Sequence, residues 1–493
     1  MTSAWLVLFW LAAALFNEPY RPQFHFSPAQ NWTNDPNGLV FYEGEYHLFF
    51  QFNPFGNEWG HMSWGHAVSP DLVHWRELPV ALREENGIMM FSGSAVVDDQ
   101  NLSGFCSAAP SCLVAIYTGH TSNRQTQNIA FSNDRGRTWT KYPGNPVIDL
   151  AMKDFRDPKV FWHAASRKWI MAAALPKERK VRFFGSADLK HWTSLSDFGP
   201  AGATGGDWEC PDLFPLSIDG EPGRVRWVLS VNINPGGLNG GSANQYFVGN
   251  FDGTRFTNDN AASKTLWADE GKDFYASQSY NDIPASDGRR IWIGWFSNWL
   301  YAREEPTSPW RCIQSIPRSL RLVKIANGEL RLAQQPVVEL EKLREKGTHL
   351  QNSDIAAVNG AMRGFKSQTY ELTAEFSAGS DISFDVRKGG SDGTLVGYVA
   401  KTHELFFDRT HSGNTAFSPD FQGRYSTRVE TRNGRVNVHV FVDRSSVEVF
   451  GGNGETVMSD RIFPAAGDDG FEIEGRGKLS SFDLWPLRSA WKQ

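Results

Sequence analysis

Three acidic side chains in this 493-residue sequence stand in settings that could do chemistry. Asp35 lies in Trp32-Thr33-Asn34-Asp35-Pro36-Asn37-Gly38, where Pro and Gly predict a turn holding the acid at the mouth of a strand. Asp157 lies in Phe155-Arg156-Asp157-Pro158, just ahead of the strand-like run Lys159 to Trp162. Glu209 lies in Trp208-Glu209-Cys210-Pro211-Asp212-Leu213, with apolar neighbours on both sides. Singly, each has a plain structural explanation. An Asx-Pro turn uses its own Asp, an Arg-Asp neighbour pair is usually solvated, and a Glu beside Trp can be a satisfied core acid. Together, beside aromatic and amide side chains, they suit glycoside hydrolysis. One carboxyl protonates the leaving oxygen, with a pKa raised by apolar surroundings; the other, ionised, attacks the anomeric carbon or activates water. Glu209, next to Trp208, fits the acid, and Asp35, on a rigid turn, the nucleophile. Trp32, Trp59 and Trp295 would offer faces on which sugars pack, and Asn34, Gln51 and Arg156 would bond hydroxyls.

Such acids must be brought together by short strands. Aromatic residues are 13% of the chain, with 35 Phe, 12 Tyr and 19 Trp, and 46 Gly and 25 Pro add turn formers. That composition excludes a helical bundle or coiled coil. A slow repeat accompanies it. Ser69-Pro-Asp71-Leu-Val-His-Trp75 returns as Ser186-Ala-Asp188-Leu-Lys-His-Trp192, with Ser132-Asn-Asp134-Arg-Gly-Arg-Thr-Trp139 between and a weaker echo at Phe251-Asp252-Gly253 to Phe256. Each copy is a polar turn ending in an aromatic, which points to hairpin staples in propeller blades of about 60 residues. The fold class is therefore all-β. A five-bladed β-propeller is expected over 22–335, a linker helix over 336–348 (Pro336, Leu340 and Leu343), and a β-sandwich over 349–493. Fifteen of the 19 Trp fall between Trp32 and Trp310, and none between Arg311 and Leu484, so composition shifts where the propeller should end. In the second half, Arg435 to Val442 alternates with period two and Val447 to Phe450 returns, a strand pair with one wet face.

A formal charge of −6 argues against a nucleic-acid partner. The uncharged run Ala4 to Phe16 is too short to span a bilayer and fits a secretory signal within an N-terminal lead, 1–21; no other segment is apolar enough for a membrane span. Secretion is the expected localisation. No Cys/His spacing suggests a metal. Cys106 and Cys112 flank a small loop that either closes as a disulfide in a secreted chain or carries two free thiols. Nothing in the sequence fixes an oligomeric state.

The segments WTNDPNG (32–38), HLFFQFNP (47–54), EWGHMSWGHAVS (58–69), FSGSA (91–95), FRDP (155–158), WECPD (208–212) and DFYAS (273–277), with FVDRSSVEVFGGNGE (441–455), resemble glycoside hydrolase family 32. These are the invertases, exo-inulinases and levanases. The resemblance implies the propeller and sandwich, no metal or organic cofactor, and a retaining double displacement on terminal β-fructofuranosyl units of sucrose, inulin or levan. It makes Asp35 the nucleophile, Asp157 a transition-state stabiliser and Glu209 the acid/base. It places Trp32, Asn34, Gln51, Trp59, Phe91, Ser92, Arg156, Asp273 and Trp295 around the fructose. Asp rather than Glu in the first motif favours exo action. Thr33 departs from the family's usual Met and creates a sequon at Asn31, where a glycan would crowd the pocket, so Asn31 is expected to be unmodified. A fructosyltransferase with sucrose as donor, or a non-catalytic fructan-binding protein, are the alternatives. Loops around 201–206, 234–244 and 299–310 are expected to set the preferred linkage.

Overall fold

The computed structural model describes residues 16–107 and 110–491. The run Ala4 to Phe16, assigned above to a secretory signal, lies outside these residues except for its last member. The first part of the chain builds successive antiparallel units of four strands. They are β1 (Asn31–Tyr42), β2 (Glu45–Phe52), β3 (Ser63–Ser69) and β4 (Arg76–Leu82); then β5 (Met89–Asp98), β6 (Cys112–Thr121), β7 (Arg124–Ser132) and β8 (Thr140–Lys141). Next come β9 (Arg156–His163), β10 (Lys168–Leu175), β11 (Lys180–Ser186) and β12 (Trp192–Phe198), and β13 (Asp207–Ile218), β14 (Glu221–Asn234), β15 (Ala243–Phe251) and β16 (Phe256–Asn258), with β17 (Leu266–Trp267) on β15. The last unit is β18 (Tyr275–Ser279), β19 (Arg290–Trp295), β21 (Arg318–Lys324) and β22 (Leu330–Pro336), while β20 (Trp310–Arg311) lies parallel to β1. The first strands touch in a ring, β1 to β5 to β9 to β13 to β18 and back to β1. This is a β-propeller.

Strands such as β10 are buried on both faces by neighbouring units, so they read as continuous apolar runs rather than alternating ones. The innermost strands carry buried polar side chains instead, because they line the axis. Asn281 ties three of them together. Its backbone NH donates to Leu39 O at 2.9 Å, and its side-chain amide donates to Ala95 O at 2.8 Å and Val160 O at 2.9 Å.

The repeated Ser/Asp boxes are staples between third and fourth strands. Asp71 accepts from the backbone NH of His74 at 3.0 Å, Asp134 from Thr138 at 2.9 Å, Asp188 from His191 at 2.9 Å and Asp252 from Arg255 at 2.7 Å. Trp139 and Trp192 donate back to the same turns, to Gly136 O and Leu189 O. Cys106 and Cys112 are disulfide-bonded, which resolves the alternative between a bridge and free thiols.

Two antiparallel sheets, of six and five strands, follow as a β-sandwich around Tyr370, Phe376, Phe384, Val440 and Phe482. Two expectations change here. The stretch after Pro336 is not an α-helix but a six-residue 3-10 helix, Val338–Leu343, and Pro336 ends β22. Apolar spacing i, i+3 (Leu340, Leu343) fits a 3-10 turn as well as an α-helix, and both leucines are buried. An α-helix forms instead at Ile355–Ala361, capped by Asp354, which accepts from Ala357 NH at 2.8 Å. The strand pair of the second half is Arg435–Asp443 with Ser446–Gly451, but the returning strand is buried throughout. Its expected wet face is covered by the propeller: Glu448 accepts from Arg318, and Phe450 packs with propeller residues such as Phe50 and Tyr280.

Asp188 is pulled down to about 2, burial opposing and the His191 and Lys190 contacts favouring the carboxylate. A depressed carboxyl stabilises the fold above its unfolded pKa, and loses that contribution as pH falls through about 2. Asp188→Ala should cost about 1–2 kcal/mol at pH 7 by thermal or chemical unfolding, and the deficit should shrink between pH 4 and 2.

Candidate active site

The three acids occupy the second to fifth residues of their strands: Asp35 in β1, Asp157 in β9 and Glu209 in β13. At each, the pairing with the neighbouring strand slips. Register shifts fall between Thr33 and Pro36, at the Asp157-Pro158 step, and between Glu209 and Asp212. The same occurs in β5 between Phe91 and Gly93, and in β18 between Tyr275 and Gln278. Pro36, Pro158 and Pro211 have no NH for the ladder, so each favours a bulge at its position. A bulge re-aims the side chains around it. Repeated around the ring, bulges turn Asp35, Ser92, Asp157, Glu209 and Tyr275 into one cavity of about 220 Å³. The turn expected at Pro36 to Gly38 is therefore a bulge inside β1, which already begins at Asn31. Gly38 is required there: its φ is +53°, and a Cβ would sit 2.6 Å from the Phe49 ring.

Each acid is held by several donors. Asp35 accepts from Ser92 Oγ at 2.6 Å, from Asn34 Nδ2 at 3.0 Å and from Cys210 Sγ at 3.4 Å. Asn34 is itself oriented by Trp32 Nε1 at 2.8 Å, and its carbonyl accepts from Gln314 at 2.7 Å. Asp157 adopts a left-handed backbone, φ +63°, as does Cys210 at +44°, and the Cys210 NH donates to Asp157 Oδ2 at 3.0 Å. Non-glycine residues persist in that region only when their surroundings over-determine them, which is common at functional sites. Glu209 accepts from Arg156 Nε and Nη2, both at 3.0 Å, and from the Tyr275 hydroxyl. Arg156 also donates to Asp154 and Gln125.

Burial pushes the Asp35 carboxyl up and the nearby Glu209 adds to it, against the bonds from Ser92, Asn34 and Cys210. Burial likewise raises Asp157 to about 7; Arg156 opposes, while Glu209 and Asp35 add to the rise. Burial works against the Arg156 charge, but Glu209, Asp157 and Asp154 hold its pKa above the ordinary arginine value. Burial and the carboxylates also keep the Cys210 thiol protonated, hence a donor.

Of the nominated residues, Asn34, Asp35, Gln51, Trp59, Phe91, Ser92, Arg156, Asp157 and Glu209 line the cavity. Trp32 and Trp295 do not. Both are fully buried in a cluster with Trp299, 5.9 and 4.7 Å between ring centroids, and it is Trp299 that reaches the cavity. Trp32 thus orients Asn34 rather than facing a sugar. Asp273 also lies elsewhere. It is buried under the sandwich, bonded to Arg409 Nη1 at 2.5 Å and to the Arg461 NH at 2.7 Å, so its carboxylate serves an ion pair. The apolar neighbours of Glu209 do not surround its carboxyl: Trp208 packs into the core, and the Glu209 oxygens meet Arg156 and Tyr275. Tyr275, Asn234, Trp299 and Arg303 line the cavity without having been nominated singly. Tyr275 sits inside the DFYAS segment, and the other three within or beside the loops expected to set linkage. Thr33 is fully buried within β1. Among the described residues no group of His, Cys, Asp and Glu is placed to hold a metal ion.

Residues 25–336 match the family model described as glycosyl hydrolases family 32 N-terminal domain, and 339–486 the corresponding C-terminal model. The chain belongs to glycosyl hydrolases family 32. It is 49% identical over 490 residues to a levanase of Bacillus subtilis, covering 97% of this chain and 72% of that protein. An extracellular exo-inulinase of Aspergillus niger is 42% identical, with 91% and 90% covered. Among solved structures, the exo-inulinase of Aspergillus awamori superposes with TM-score 0.90 at 38% identity, covering 97% of this chain and all of that one. A fructofuranosidase of Schwanniomyces occidentalis complexed with fructose gives 0.88 at 34%, with 96% and 99% covered. The family-32 protein is thus a glycoside hydrolase with a propeller followed by a sandwich.

A raised carboxyl makes the native state hold more protons than the unfolded chain, so stability falls as pH climbs from about 4 to 7 and the full cost remains above. Asp157→Asn removes that cost. Its melting temperature should exceed wild type by a few degrees at pH 8 and match it at pH 4. Ser92→Ala should move the acid limb of kcat/KM to higher pH and lower activity about 10- to 100-fold, because the ionised Asp35 loses a charge-assisted bond.

Proposed function

We propose that the protein is an exo-acting retaining β-fructofuranosidase that removes terminal fructosyl units from fructans and sucrose. The observation that carries this is the convergence of Asp35, Asp157 and Glu209, from three separate propeller units, in one cavity suited in size to a single sugar ring. The names of the levanase and exo-inulinase relatives support the substrate class.

Asp35 is the nucleophile. Its donors fix one carboxylate orientation, and it attacks the anomeric carbon while Glu209 gives a proton to the departing glycosidic oxygen. Water, deprotonated by Glu209, then breaks the fructosyl–Asp35 ester and returns the carboxylate, with net retention. Asp157 accepts bonds from fructosyl hydroxyls and faces the positive charge that develops on the ring. Asn34, Gln51 and Ser92 surround the same sugar, while Trp59 and Phe91 give it apolar walls. Arg156 orients Glu209. Secretion is the matching location, supported by the Ala4 to Phe16 run, the Cys106–Cys112 bridge and the extracellular naming of relatives.

Asp35→Ala and Glu209→Ala should each reduce fructose release from sucrose, inulin and levan by about 10³-fold or more, with the fold kept by circular dichroism. Activity within a few-fold of wild type in either variant would sink the assignment. Oligofructosides accumulating at high sucrose would show transfer instead of hydrolysis.

A further inference from the structure

The segment Ser297 to Glu305 has two faces. Trp299 and Arg303 line the sugar cavity, and Arg303 lies over the Trp59 ring at 5.9 Å. Tyr301 and Glu305, two residues on from each, point the other way and are each 1% exposed. What they meet is the sandwich. The Tyr301 hydroxyl accepts from Arg409 Nη2 at 2.7 Å and donates to Asp273, which Arg409 Nη1 also holds. The Tyr301 ring packs edge-on against Phe421, 5.3 Å between centroids. Glu305 accepts from Ser297 Oγ at 2.6 Å and from Arg461 Nη2 at 3.3 Å. Arg409 and Arg461 are both fully buried sandwich residues.

Asp35 and Asp157 are buried, whereas Glu209 and Trp299 are half-buried and Arg303 is exposed at the rim. Once a terminal fructosyl unit occupies the acids, the rim is what the rest of the substrate touches. Resting on the fructosidase reading above, we infer that the sandwich sets the leaving-group side of the site: Arg409 and Arg461 are positioning residues that hold Trp299 and Arg303 through Tyr301 and Glu305. Arg409 is a rigid strut, because its fork reaches Phe421 O, Asp273, Arg461 O and the Tyr301 hydroxyl together, whereas Arg461 holds Glu305 through a single charge-assisted contact. Loosening it displaces the rim while the propeller-held acids stay in place.

The test compares substrates that share the fructosyl group but differ in what leaves. Tyr301→Phe keeps the ring and removes only the hydroxyl; Arg409→Lys and Arg461→Lys keep the charge and lose the fork. kcat/KM on sucrose, inulin and levan is measured for each, with inhibition by free fructose as the readout of the inner pocket. The expected result is a shift of up to about tenfold in the sucrose-to-fructan ratio, with fructose inhibition within twofold of wild type. Trp299→Ala and Arg303→Ala should shift the same ratio in the same direction. A common factor across all three substrates, or no change, would mean the sandwich contacts are only structural and would overturn the inference. So would unchanged ratios in Trp299→Ala and Arg303→Ala. A wild type that releases no fructose from any of the three would overturn the fructosidase reading, and the inference with it.

Discussion

Crowding of carboxylates in a dry cavity is the constraint on which this architecture depends. Asp35, Asp157 and Glu209 lie close enough that Glu209 raises the proton affinity of both aspartates and Asp35 that of Asp157, and the two aspartates are nearly withdrawn from water. Left alone, such a cluster would neutralise or spread apart. It is held by donors that arrive from different parts of the ring: Ser92 from β5, Arg156 from β9, the Cys210 NH from β13 and Tyr275 from β18. A ring of innermost strands is what allows this. Each strand brings one or two polar groups to a shared axis while its own unit buries the apolar faces behind it.

The bulges follow from that demand. A regular strand would alternate its side chains between two faces and offer the funnel one residue in two. Breaking the register at the acid lets adjacent residues such as Asn34 and Asp35, or Arg156 and Asp157, both take part. The left-handed backbone at Asp157 and Cys210 is the local cost, and the hydrogen bonds to both residues offset it.

Much of this is legible in residue types. Prolines beside the acids, Ser/Asp staples at a steady spacing and the loss of Trp after residue 310 mark strand mouths, third turns and a change of architecture. What is not legible is which way a side chain points once register slips. The tryptophans at 32 and 295 have the right type for a sugar platform, yet both are fully buried, and Trp32 bonds the Asn34 side chain. Leu340 and Leu343 satisfy two helical periods at once. The buried strand Ser446–Gly451 shows a third limit. Alternation foretells a face toward solvent only if no second domain lies on it, and here Arg318 and His25 bring charges to Glu448 across the interface. These partners lie 130 and 423 residues from Glu448, a separation for which no local pattern exists.

The surroundings of Glu209 bear on the acid/base role proposed for it. Both its oxygens are occupied as acceptors, one by Arg156 and one by Tyr275. A guanidinium only donates, whereas a phenol can donate or accept. A proton on the oxygen facing Arg156 would leave two donors opposed. A proton on the other is tolerated, since the Tyr275 hydroxyl can turn and accept it. Arg156 therefore selects which oxygen carries the proton, and Tyr275 keeps that oxygen partnered in both protonation states. The glycosidic oxygen would then approach the carboxyl oxygen that faces Tyr275, in the cavity that Trp299, from a turn, and Arg303, from the 3-10 helix Ala302–Glu304, also line. The proposed proton donor and nucleophile then share one cavity with the contacts proposed for the leaving group, the juxtaposition on which a double displacement depends.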